Sequence, residues 1–235
     1  MNKQQKILIV LTSHDTLGES GQPTGYWLSE LTHFHHVVTE AGYEADFVSP
    51  AGGEAPVDPI SLKLNDPINK GFMESPELVF KIKNTLTPEK VNAADYLAIY
   101  YVGGHGPMWD IATHDKIADI AKVIYENHGV VSAVCHGSAG LLNIRLSSGK
   151  LLLEGKKVTG FCNLEERLVR KNRWVPFSLE AELKKKAAAY TKKLPTLENV
   201  EVSERLVTGQ NPKSARAVAE KVVTLLGQGD HQKTL

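Results

Sequence analysis

Cysteine is scarce in this chain, with two residues, Cys135 and Cys162, among 235. So small a number excludes a disulfide-stapled scaffold and a cysteine-rich zinc module. Neither sign of charge dominates. Lys and Arg number 27 and Asp and Glu 27, which excludes a nucleic-acid binder working through bulk positive charge. Apolar runs are short. The one nearest the start, Ile7 to Leu11, falls far below the roughly 18 residues of a membrane span and is too short for a secretory core. The glycine spacing of a dinucleotide site and the lysine of a phosphate loop are both missing, which disfavours nucleotide binding. What remains is an ordinary globular composition, 42% hydrophobic and 23% charged, with enough chain for a sizeable core. A cytoplasmic, reducing location is expected, with no membrane or nucleic-acid partner.

Strand and helix signals alternate. Strands are predicted at 6–11, 43–49, 96–102, 129–134, 158–161 and 206–208. Helices are predicted at 26–41, closed by Gly42, and at 115–127, 177–186 and 212–226, with another starting at Ser138. Such alternation predicts an α/β, flavodoxin-like doubly wound sandwich, its sheet mostly parallel and covered by helices on both faces. One domain is expected over 1–226, followed by a polar tail at 227–235. Residues 50–92, rich in proline and glycine, read as an irregular binding loop or lid.

Ligands of such a sheet sit beyond the carboxyl ends of its strands, and three segments there carry chemistry. In Val130-Val-Ser-Ala-Val-Cys135-His136-Gly137-Ser138-Ala139-Gly140 a buried strand runs into a cysteine flanked by small residues. That is the pattern of a nucleophile elbow. A following helix would favour the thiolate through its dipole. His136 can share a pocket with Cys135 only if the chain changes direction at the elbow, since neighbours in a strand point apart. The second segment, Gly103-Gly104-His105-Gly106, follows a strand and presents backbone N–H groups suited to an oxyanion. The third is Glu30, beside the apolar stripe Trp27, Leu31, Phe34, Val38 and Ala41 of the first helix. A carboxyl there should have a raised pKa and could exchange a proton with the thiol. Either member of Glu165-Glu166 could orient His136. His33 and His35 lie roughly 200° apart on a helix and cannot share an ion. Cys162 reads as a structural thiol.

These residues resemble the ThiJ/PfpI superfamily, which shares the fold of class I glutamine amidotransferases, and within it the branch of heat-shock protein 31 and glutathione-independent glyoxalase III. The resemblance is carried by Pro23-Thr-Gly-Tyr-Trp-Leu-Ser-Glu30, Ala41-Gly-Tyr-Glu-Ala-Asp-Phe-Val-Ser-Pro50, Asp58-Pro-Ile-Ser61, Gly103-Gly-His-Gly106, Ala133-Val-Cys-His-Gly137, Thr159-Gly-Phe-Cys-Asn-Leu-Glu-Glu166 and Leu206-Val-Thr-Gly-Gln-Asn-Pro212. It implies Cys135 as nucleophile, His136 as the adjacent base, Glu30 as the acid on the thiol and Glu166 as the triad acid. Gly104, His105 and Tyr26 are expected to bind substrate or oxyanion. The implied activity converts methylglyoxal and related 2-oxoaldehydes to 2-hydroxy acids through a Cys135 hemithioacetal, without metal, nicotinamide or glutathione. A homodimer is implied. The alternatives are a stress holdase that binds unfolded clients and a deglycase or cysteine hydrolase. Ser138 stands where many members of the family have Pro.

Overall fold

The computed structural model describes residues 5–231, with side chains through 228. Four strands, β1 (Lys6–Val10), β2 (Glu44–Val48), β3 (Tyr96–Tyr101) and β4 (Val130–Val134), run parallel. Two more, β5 (Lys157–Val158) and β6 (Ala189–Tyr190), form a small separate parallel pair. The hairpin of β7 (Val200–Ser203) and β8 (Leu206–Gly209) completes the main sheet, whose order is β2-β1-β3-β4-β8-β7. Among the strands of this sheet, over the described residues, β7 alone is antiparallel to its neighbour. The strands β1, past the half-buried Lys6, and β4, which contains Ser132 and Ala133 among its valines, are buried on both faces, as a central parallel strand requires.

Side chains alternate between two cores. Ile7 and Ile9 face α1 (Leu28–Glu40), where Leu31, Phe34 and Val38 meet Val218 and Val222 of the last helix. Leu8 and Val10 face the opposite layer, with Ile117, Ile120 and Ile124. The helices between are α2 (Pro67–Glu74), α3 (Pro76–Lys83), α4 (Asp115–Glu126), α5 (Asn163–Leu168), α6 (Leu179–Lys186) and finally α7 (Ala215–His231). Gly42, at φ +89°, ends α1 in the left-handed conformation that a Cβ would disfavour.

Several boundaries differ from the sequence reading, each for a local reason. The first helix begins at Leu28, not Tyr26. The backbone before it is extended, with the Tyr26 N–H donated to Pro56 and the Trp27 N–H to Gly103. Residues 50–92 hold two helices where an irregular loop was expected. Asp66 and Ser75 cap α2 and α3, and Pro67 and Pro76 occupy their first turns, where a missing N–H costs nothing. The strand expected at 158–161 is confined to β5, outside the main sheet. The last helix runs through 227–231, expected as tail. Its seat on the sheet through Val218, Ala219 and Val222 carries it past two glycines that cost about 1 kcal/mol each. The remaining tail, 232–235, lies outside the described residues.

Candidate active site

Strand order reverses between β1 and β3, and β3 and β4 end beside this crevice in Gly103 and Cys135. Cys135 adopts φ +56°, a left-handed conformation in a residue that has a Cβ. Strain of this kind persists only where the surroundings over-determine it. Here a 3₁₀ run, Cys135–Leu141, starts at the cysteine itself, earlier and tighter than the helix expected from Ser138. The change of direction turns both neighbours into one pocket. Cys135 Sγ lies 3.4 Å from His136 Nδ1.

His136 Nε2 lies 2.6 Å from Glu166 Oε2, and His105 Nε2 lies 2.9 Å from Glu166 Oε1. Burial works to raise the Glu166 pKa, but His136 and His105 outweigh it and hold the carboxyl well below its ordinary value. An ionised Glu166 only accepts, so both imidazoles carry their proton on Nε2. In the neutral ring of His136 this arrangement leaves Nδ1 as a lone pair facing the sulfur. Burial, then His136, push His105 down to about 4 against the pull of Glu166, so His105 is a neutral donor at physiological pH. Between the two acids left open by the sequence, the geometry separates the roles. Glu165 accepts from Asn211 Nδ2, Gln210 Nε2 and the N–H groups of Cys162 and Thr196, and holds the wall together. His105, Glu166 and His136 bring three ligand-type atoms within 4.8 Å of one another. Each Glu166 oxygen lies within hydrogen-bond distance of one imidazole Nε2.

Glu30 comes from the first turn of α1 and is fully buried. Its Oε2 accepts from the Gly103 N–H at 2.8 Å. A Cβ on Gly103 would fall 2.4 Å from that oxygen and 2.8 Å from Cys135 Cβ, so only glycine lets these groups meet. Burial pushes Glu30 up to about 8, against hydrogen bonds from Cys135 and Gly103. Glu30 is therefore protonated at neutral pH. Its Oε1, also buried, has no hydrogen-bond partner among the described residues.

The thiol departs from the sequence expectation. Burial first, then the carboxyls of Glu30 and Glu165, push its pKa well up, and the N–H groups of His136 and Gly104 do not reverse this. The dipole argument fails because the sulfur is enclosed and desolvation of the thiolate dominates. Ionisation thus requires a proton acceptor, and His136 Nδ1 is in place. Gly104, at φ +95°, directs its N–H at the sulfur while a Cβ there would strike the Gly25 carbonyl at 2.2 Å.

The sulfur opens on a cavity of about 800 Å³ walled by Trp27, Gly104, His105, His136 and Phe161. Tyr26 is not among its lining. Adjacent residues of extended backbone point apart, so Trp27 enters the site while the Tyr26 phenol lines a second cavity of about 410 Å³ beside Glu54. Sequence reasoning missed the His105 side chain as a second partner of Glu166. It also missed the wall residues Lys171 and Asn211, and Gln210, which donates to Glu165 from behind the wall. Gln210 and Asn211 follow β8, and that position at a strand's carboxyl end was the available signal.

A family model described as the DJ-1/PfpI family matches residues 24–225. The chain belongs to the DJ-1/PfpI family. Among curated DJ-1/PfpI-type relatives, the glutathione-independent glyoxalase HSP31 of Saccharomyces cerevisiae is 34% identical, the match covering 94% of this chain and 98% of that protein. Among solved structures, the rapid encystment protein of 24 kDa from Francisella tularensis superposes with TM-score 0.91 at 38% identity, over 94% of this chain and 99% of that one. Glyoxalase III of Candida albicans superposes with TM-score 0.85 at 28% identity, over 95% and 98%. The flavodoxin-like α/β architecture expected from the alternation of strands and helices is thus the architecture of this DJ-1/PfpI chain.

Proposed function

We propose that the protein is a glutathione-independent glyoxalase that converts methylglyoxal and related 2-oxoaldehydes to 2-hydroxy acids. One observation carries the reading: a buried, strained cysteine faces the free nitrogen of an imidazole whose other nitrogen is fixed by an ionised glutamate, and the sulfur opens on a cavity. The full-length likeness to a glyoxalase of yeast and to glyoxalase III of Candida albicans supports it.

The chemistry follows from the proton positions. His136 Nδ1 takes the Cys135 proton as the sulfur adds to the aldehyde carbon, and returns it to the new oxygen, giving a hemithioacetal. The N–H groups of Gly104 and His136 stabilise the sulfur while it is anionic. His136 then removes the hydrogen of that carbon, and an enediol forms. Reprotonation at the neighbouring carbon gives a thioester of a 2-hydroxy acid. Water adds to the thioester, the C–S bond breaks, and acid and thiol are released. The aldehyde carbon is oxidised while its neighbour is reduced, so the hydrogen shift is internal and consumes no oxidant. Glu30 enters protonated and adds no charge to the thiolate. Glu166 positions His136 and stabilises its transient charge.

The test is purified protein with methylglyoxal and no glutathione. Lactate should accumulate, and Cys135→Ala should abolish it while the circular dichroism spectrum stays unchanged. Lactate-free wild-type protein with a titratable, reduced Cys135 would refute the reading.

A further inference from the structure

Lysines outnumber carboxylates on the cavity lining, three to two, and their placement bears on which 2-oxoaldehydes fit. Two carboxylates line the cavity, Asp66 and Glu165. Both are engaged. Asp66 caps α2 through the N–H groups of Ile68 and Asn69 and pairs with His33 at 2.9 Å. Glu165 is saturated by its four donors. Three lysines line the same cavity, Lys63, Lys171 and Lys213. Among the described residues, Lys63 and Lys213 have no side-chain hydrogen bond or ion pair.

Lys171 is the decisive one. Its side chain is 10% exposed, yet its nearest anion, Asp58 Oδ2, is 3.7 Å away, beyond hydrogen-bond reach. Asp58 is itself occupied, accepting from the Thr24 hydroxyl at 3.1 Å and the Ile60 N–H at 2.9 Å. The ammonium is thus paired in charge with Asp58 but makes no hydrogen bond to it, and its N–H donors remain available to a ligand in the cavity. It lies near enough to His105 to act on its charge. A cleft with an unbalanced positive wall concentrates anions. The cavity, about 800 Å³, is also of the size that takes a drug-sized ligand, roughly 300–1,000 Å³, whereas methylglyoxal has three carbons.

We infer that Lys171, aided by Lys63 and Lys213, forms an anion subsite, and that the preferred substrate is a 2-oxoaldehyde carrying an anionic oxyacid group, phosphate or carboxylate, beyond its reactive carbons. The inference rests on the glyoxalase reading for its aldehyde end and on the wall for its anionic end.

Two matched pairs of substrates test it: hydroxypyruvaldehyde against its phosphate ester, and phenylglyoxal against its para-carboxylate. In the wild type, kcat/KM should favour the anionic member of at least one pair by about tenfold or more, and the pair that shows it identifies the group. Lys171→Met should bring that ratio close to one, and Lys171→Arg should retain most of it. Equal kcat/KM within both pairs, or a preference that survives Lys171→Met, overturns the inference while leaving methylglyoxal turnover untouched. If no aldehyde is turned over, the glyoxalase reading fails and the subsite is judged on the thiol alone. Inorganic phosphate should slow carboxamidomethylation of Cys135 by iodoacetamide in the wild type and in Lys171→Arg, but not in Lys171→Met. Absence of protection in the wild type overturns the subsite. Should Lys171→Met fail to fold, the double variant Lys63→Met/Lys213→Met at exposed positions decides: a reduced preference or protection supports the subsite, and an unchanged one overturns it.

Discussion

Two buried carboxyl groups serve one sulfur, Glu30 from α1 and Glu166 from α5 acting through His136. Burial alone would leave both neutral. Glu30 has one backbone N–H and a thiol for company and is pushed up to about 8. Glu166 has an imidazole on each oxygen and is held far down. The same residue type is thus an acid on one wall and an anion on the other, and the partners decide which. On the proposed glyoxalase reading the separation has a use. A neutral acid beside the thiol does not repel a forming thiolate, and a fixed anion behind the imidazole selects its tautomer and steadies its charge.

Exchanging the partners should break this division. The largest effect is expected from Glu166→Gln. An amide no longer dictates that His136 carries its proton on Nε2, so kcat should fall by about 10²–10⁴ in steady-state kinetics. A value near wild type would show that His136 needs no anion behind it. Glu30→Gln should cost less at neutral pH, about tenfold in kcat/KM, because the amide stays uncharged and can still donate. Its pH profile is the sharper readout. Wild-type kcat/KM should decline above the Glu30 pKa of about 8, where the carboxyl becomes a second negative charge beside the sulfur, and Glu30→Gln should lack that decline.

Stability gives a third comparison. The folded pKa of Glu30 is raised from 4.5 to about 8, so the native state binds a proton more tightly than the unfolded chain. Its contribution is fully present below about pH 4.5 and is lost as pH rises to about 8. Glu30→Gln should therefore melt above the wild type at pH 8, and that advantage should shrink towards pH 4.5, as thermal denaturation across pH would show. The smallest effect belongs to His105. His105→Ala frees one Glu166 oxygen and should lower kcat by a few fold to about tenfold with little change in KM. His105→Gln, which keeps a donor there, should recover most of the loss.

Legibility in the sequence varied with the range of the physics involved. Apolar runs and the glycines that end them act over a few residues, so β1, β3, β4, α1 and α4 were placed to within a residue or two. Edge elements were harder. The strand β7 is only half-buried, without a clear alternation, and β6 is two residues long. The helices α2 and α3 carried readable caps, Asp66-Pro67 and Ser75-Pro76, but the surrounding prolines and glycines obscured them. At the site, Cys135 and His136 were evident because the elbow is local. Spacing alone showed the acid pair Glu165-Glu166 without a division of labour, and the family resemblance favoured Glu166; adjacent helical positions point in different directions, and only the packing decides which meets His136. Tyr26 was misplaced for the same reason on extended backbone.

The sequence by itself determined the order of the central strands and the helices that flank them, the kink that carries Cys135, and a short set of acids and imidazoles able to reach it. These are consequences of periodicity, turn chemistry and residue type, all properties of short stretches of chain. Only the tertiary structure decided that the thiol is buried, that Glu30 keeps its proton and Glu166 does not, and that Lys171 stands in the cavity wall 3.7 Å from its counter-ion Asp58. Charge state depends on desolvation and on partners brought from distant positions, and neither exists until the chain is packed.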